Sequence, residues 1–232
     1  MAFITQSPPD CGAFATAYYL WHRANGGMPV QPHGAYAEVG AIYDQIQFGP
    51  QLAAQLAPQL AALFPNVPLE KYSNPVNIMQ YLSGNLQIAG APNLPNPLPN
   101  PEFRYAPVAP VQNLVNAMQN AGAILPGMIP NPVAPPPLVN IPQANNRYLI
   151  AICLDRLGGL HYVLVINTAI ANQQGGFITV INPWDGDETH LNLGQTNQFI
   201  AGTAIVAPHG LPDFGPAMQP RLQYLQAGIW LA

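Results

Sequence analysis

Two hydrophobic periodicities follow one another in this chain and do not interleave. Up to about residue 85, apolar residues recur at three- and four-residue spacing in "CGAFATAYYLWHRA", "AYAEVGAIYDQI", "QLAAQLAPQLAALF" and "NPVNIMQYLSGNL". That is the spacing of helices. From residue 147 the runs become short, β-branched and aromatic: "RYLIAICLD", "HYVLVINTA", "GFITVINPW" and "GTAIVAP", with "RLGG" and "NQQGG" between them. These features mark antiparallel strands joined by hairpins. Helices first and sheet second make an α+β fold, because a βαβ chain would alternate the two patterns.

The stretches between them are rich in proline. "APNLPNPLPNPEFRYAPVAP" and "GMIPNPVAPPPLVNIPQ" are expected to be extended, without regular helix or central strand. "PVQNLVNAMQNAG", between them, has the pattern of a short helix. The chain is therefore expected to be one domain over 1–232. Its parts are a helical portion to residue 85, a proline-rich insertion or set of loops over 86–145, and a β-sheet portion over 146–232. The proline-rich segments read as structured surface loops, with a lid or groove wall as the alternative. Within the helical portion, Pro58 is expected to break or kink its helix. Phe14, Tyr18 and Trp21 are expected to turn one stripe of the first helix to the core.

Composition removes several functions. Only 7% of the 232 residues are charged, with six Lys and Arg and a net charge of −4. Nucleic-acid binding needs a clustered basic face, and none is present. No apolar run reaches the ~20 residues of a membrane span. The opening "MAFITQSPPDCG" lacks the basic and apolar regions of a signal peptide. There is no H-E-x-x-H and no C-x-x-C, so neither metal nor cofactor is expected.

The chain has two cysteines. Cys153 lies in "YLIAICL" and reads as a buried thiol in a strand. Cys11 opens the first helix, where the dipole and unpaired N–H groups favour a thiolate. Cysteine is a poor N-cap, and Asp10 is the better cap candidate. Cys11 is therefore expected to be an accessible, reactive thiol. Among five histidines, His161 begins a strand whose alternation places His161, Val163 and Val165 on one face. His22, His33, His190 and His209 read as structural or surface residues. A hairpin centred near Ala171 and Asn172 would pair His161 with Asn182 in "INPWDG", where an amide oxygen can fix the imidazole tautomer. Trp184 would shield that pair. Asp185 is the competing orienting group, set aside because it lies past Pro183. Gln6, upstream of Cys11, is a candidate oxyanion donor together with the Cys11 N–H.

Glutamine, then cysteine opening a helix, then a distant histidine at a strand start, then asparagine before an aromatic: this set resembles the papain-like cysteine peptidases. The spacing from Cys11 to His161 and Asn182 lies near the ~130–150 residues of papain-type enzymes. "PPDCGAF" stands where papain carries C-G-[SA]-C-[WY]. The "Q…DCGA" start resembles the C39-like branch, and "NPWD" the staphopain branch. The resemblance implies a papain-like fold with the nucleophile at the start of a central helix. It implies the roles of nucleophile, base, orienting group and oxyanion donor for Cys11, His161, Asn182 and Gln6. It further implies a thiol protease acting on a protein or peptide substrate in a bacterial setting, either cytoplasmic or as a delivered effector or toxin. A deamidase or transglutaminase-like acyl transferase uses the same triad. A papain-fold binding module is the non-enzymatic alternative. Oligomeric state has no signature in the sequence.

Overall fold

A computed structural model describes residues 9–24, 35–60, 68–91, 97–98, 101–105, 109–123, 131–132, 148–154, 160–166, 177–183, 187–192 and 224–231. Among the described residues the α-helices are α1 (Cys11–Ala24), α2 (Ala35–Ile46), α3 (Gly49–Leu60), α4 (Pro75–Leu82) and α5 (Ala109–Asn120). The strands are β1 (Glu102–Tyr105), β2 (Asn131–Pro132), β3 (Tyr148–Leu154), β4 (Leu160–Ile166), β5 (Phe177–Asn182), β6 (Asp187–Asn192) and β7 (Tyr224–Leu231). They form one sheet in the order β2-β1-β7-β3-β4-β5-β6. The six strands from β1 to β6 in that order pair antiparallel, and only the short β2 runs parallel to its neighbour. The N-terminal helices and antiparallel C-terminal sheet agree with the α+β expectation, and their arrangement is papain-like in its general form.

α1 is more deeply placed than its periodicity implied. Every residue from Cys11 to His22 is buried, so the helix does not simply offer one stripe to a core. It packs on α2 and α4 and on β3, β4 and β5. A helix enclosed in this way needs apolar or small residues all round, which "CGAFATAYYLW" supplies. Thr16, the polar member inside, is satisfied by its own helix and donates to the Gly12 carbonyl at 2.7 Å. Trp21 Nε1 donates to Glu38 of α2 at 2.8 Å.

Pro58 lies inside α3 and does not divide it over its described length, Gly49–Leu60. One local expectation changes. The segment "EFRY" is a strand, although prolines flank it on both sides. Its four residues contain no proline, and they pair with β7 from Glu102↔Trp230 to Tyr105↔Ala227. The proline-rich middle thus supplies both β1 and α5. "GTAIVAP" lies outside the described residues.

The alternation of β4 divides its side chains between two buried environments. Tyr162, Leu164 and Ile166 join Ile150, Ile152, Ile181 and Ile229 in the core that also holds α1. His161, Val163 and Val165 are equally buried and belong to the other set of the alternation. Continuous apolar strands such as "YVLVI" suit a sheet covered on both faces. No helix among the described residues is long and apolar enough to cross a membrane.

His22 lies in the last turn of α1, 5% exposed, and burial holds its imidazole below the ordinary value. The unfolded chain then binds this proton more readily than the native state. Stability from His22 is present above the unfolded value near 6.5 and is lost as pH falls below it. Urea unfolding at pH 7 and pH 5 should show the loss, with a slope of at most about 1.4 kcal/mol per pH unit for one proton. His22→Asn should flatten that interval.

Candidate active site

The α1 N-terminus is built around two small features of its sequence. The Asp10 carbonyl accepts from Phe14 N–H at 3.1 Å, so Asp10 occupies the cap position and Cys11 the first helical one. A thiol there meets backbone N–H groups and the positive end of the helix. Gly12 comes next because no side chain fits: a Cβ on it would run into the Ser73 side chain. The expected close approach at Gly12 is therefore an approach of Ser73, a residue that carries no signal of its own in the sequence.

Ser73 is firmly held. Gln47 and Ser73 form an antiparallel bridge, and Asn74 N–H donates to the Ile46 carbonyl at 2.6 Å. Asn74 Oδ1 then caps α4 by accepting from Val76 N–H at 2.9 Å, with Pro75 opening the helix. The Ser73 carbonyl accepts the hydroxyl of buried Tyr162 at 3.1 Å. Tyr162 is the neighbour of His161 on β4.

His161 Nε2 and Asn182 Oδ1 lie 2.8 Å apart, with both residues buried. An amide oxygen only accepts, so the imidazole proton sits on Nε2 and Nδ1 carries the lone pair. This contact was expected from the sequence, but its register was not. β4 and β5 pair Leu164↔Ile181, Val165↔Val180 and Ile166↔Thr179. Continuing that register sets Asn182 opposite Val163, diagonal to His161. The hairpin is thus displaced by two residues from the expected one. Two residues is one full strand period, so Asn182 keeps its face and a diagonal contact remains within reach.

Cys11 and the His161–Asn182 pair belong to elements in direct contact, since α1 packs on β4. Electrostatics places the thiol near that end of the sheet. Burial pushes the Tyr162 phenol well up, and the Cys11 charge pushes it further. The same two causes push up Cys153, the cross-strand partner of His161. On α2, Tyr43 is pushed up to about 12 by burial and by the charges of Asp10, Asp44 and Cys11.

One expectation fails: Cys11 is buried, only 4% exposed. The enclosure of α1 is the cause, because the helix start shares the helix's surroundings. Cys153 is buried in β3, as expected, and neither cysteine is in a disulfide. His22 stands about 16 Å along α1 from Cys11 at 1.5 Å per residue, too far to act on it. His190 is exposed on β6, its Nδ1 3.2 Å from Thr179 Oγ1. Gln6, His33, Trp184, Asp185 and His209 lie outside the described residues. No cluster of His, Cys, Asp and Glu among the described residues suits a metal ion.

Comparison with protein-family models, with curated proteins and with solved structures gave no match to this chain. The functional reading therefore rests on the residues themselves. Sequence reasoning missed Ser73, Tyr162 and Tyr43 as neighbours of Cys11. For Tyr162 the signal was incomplete: it lies beside His161 in an alternating strand and so faces the opposite way, but which of the two faces the helices is not fixed by the strand alone.

Gly12→Ala should destabilise by about 1–3 kcal/mol, the usual effect of forcing a methyl group into a filled space. A lowered urea midpoint with an unchanged m-value would register it, and an unchanged midpoint would contradict the close packing of Ser73.

Proposed function

We propose that the chain is a papain-like cysteine hydrolase of peptide or isopeptide bonds. Cys11 is the nucleophile, His161 the base, and Asn182 the group that orients the imidazole. The observation that carries this reading is the buried 2.8 Å contact of His161 Nε2 with Asn182 Oδ1. It occurs on the strand against which the Cys11 helix packs. It leaves Nδ1 as the nitrogen able to take the thiol proton.

In the proposed reaction the Cys11 thiolate attacks the substrate carbonyl. The oxyanion is met by backbone N–H at the α1 mouth and by Gln6, the expected side-chain donor. His161 protonates the leaving amine, and water then releases the acyl group from sulfur. The buried state of Cys11 adds a requirement. A peptide reaches the sulfur only when the mouth of α1 opens, so small electrophiles should react faster than peptide-sized ones.

Iodoacetamide at mildly acidic pH should label Cys11 before Cys153, and peptide mapping by mass spectrometry would locate the adduct. Labelling of Cys153 first in native protein would remove Cys11 from its role. Cys11→Ala should abolish turnover with the fold intact by circular dichroism. His161→Ala should abolish turnover and slow the labelling. An amine acceptor supplied in the same assay distinguishes hydrolysis from acyl transfer, which shares the first half-reaction.

Asn182→Ala should lower kcat/KM by roughly tenfold or more, because the imidazole loses its fixed tautomer. Asp185→Ala should leave it nearly unchanged. The opposite pattern in the two single variants would assign the orienting role to Asp185.

A further inference from the structure

We propose that Tyr162 and Ser73 form a strut that sets the position of His161 relative to Cys11, which makes both of them positioning residues for the reaction. The inference rests on the cysteine-hydrolase reading and names what holds its two halves together. Cys11 is carried by a helix and His161 by a sheet, and nothing in either element alone fixes their separation. Ser73 touches both sides. Its side chain lies against the backbone of Gly12, the residue next to Cys11, at a distance that excludes any Cβ there. Its carbonyl accepts the hydroxyl of Tyr162, the residue next to His161, at 3.1 Å in a buried setting.

The middle of the strut is rigid. Ser73 is tied to the end of α2 and to Gln47 and Phe48 beyond it. The ties are the Gln47 bridge, the Asn74 N–H to Ile46 carbonyl bond, and the Phe48 N–H to Tyr72 carbonyl bond at 2.9 Å. It is tied to α4 through the Asn74 cap. Asn77 of α4 closes the same junction by donating to the Gln47 carbonyl at 3.1 Å. The Ser73 hydroxyl itself is buried and has no hydrogen-bond partner among the described residues. Holding it there is unfavourable, so the position answers to something other than that hydroxyl. The carbonyl and the close packing on Gly12 are what the position provides.

Tyr162 reaches Ser73 because strand alternation sends it to the helix side while His161 stays in the other set. A shift of the strut therefore moves His161 and leaves its contact with Asn182 within the sheet. The Cys11 charge bears on Tyr43 of α2, on Tyr162 of β4 and on Cys153 of β3, and Asp10 and Asp44 bear on the same Tyr43. None of these groups is a cation, so on the hydrolase reading His161 supplies the positive charge and the thiolate depends on its distance.

The test is the pH dependence of Cys11 alkylation by iodoacetamide in Tyr162→Phe, with Tyr105→Phe as a control. Tyr105 is also a buried phenol, and its hydroxyl accepts from Gln112 away from Cys11. Both variants should lose a few degrees of Tm. In Tyr162→Phe, alkylation should be roughly tenfold slower at pH 6 and unchanged at pH 9, where a thiol ionises without help. Its kcat should fall about tenfold with KM little altered, as a misplaced base requires. Tyr105→Phe should keep the wild-type pH profile. A wild-type profile in Tyr162→Phe overturns the strut alone. A wild-type Cys11 that titrates as an ordinary thiol overturns the hydrolase reading and the strut with it.

Discussion

Everything else in the structure is arranged around a helix that is buried on all sides. α1 lies between α2 and α4 and the strands β3, β4 and β5. A helix in that position has little room for charge, and between Gly12 and Trp21 its sequence holds no ionic side chain, while burial favours the neutral form of His22. The cost of enclosure falls at the ends, where helix N–H and C=O groups have no partner within the helix. The C-terminal end meets the polar residues His22 and Arg23, with Arg23 Nη1 donating to the Tyr19 hydroxyl at 3.1 Å. The N-terminal end is where Cys11 sits.

Much of the architecture was legible because it depends on local periodicity. The helices α1 to α4 and the strands β3, β4 and β5 arise from apolar spacing in single segments. What was not legible depends on pairing between distant segments. β7 runs through the middle of the sheet between β1 and β3, yet "YLQAGIWL" has Gly228 and Gln226 inside it and reads weakly as a strand. Its identity comes from two neighbours, one over a hundred residues earlier in the chain. β1 is hidden in another way, since four residues among prolines carry almost no propensity signal of their own. β6 begins "DETH", a polar pattern that suits the exposed edge of a sheet and disguises the strand.

The candidate site was legible for a related reason. Residue parity in a strand survives errors in the loop that joins two strands. The expected hairpin was displaced by two residues from the one formed, and His161 still meets Asn182. A displacement of one residue would have turned Asn182 to the other face and lost the contact. Exposure could not be read in the same way. Cys11 looked accessible because it opens a helix, but it is buried with the rest of α1, which packs on α2, α4 and the sheet. Those neighbours are assembled only by the tertiary fold.

An amide rather than a carboxylate beside His161 suits the charges already present. Asp10 and Cys11 both act as negative charges on Tyr43, and Cys11 acts on Tyr162 and Cys153 as well. On the proposed hydrolase reading, a thiolate with an imidazolium would be a neutral pair in a buried site. Placing a carboxylate against the far ring nitrogen would leave a net negative charge there, and the interior resists that strongly. It would also hold the imidazole proton more tightly than an amide does, which opposes giving a proton to a leaving group. An amide oxygen at 2.8 Å fixes the ring and its tautomer while adding no charge. Burial therefore favours an uncharged asparagine at position 182 on electrostatic grounds, as close packing against Ser73 favours glycine after Cys11 on steric ones.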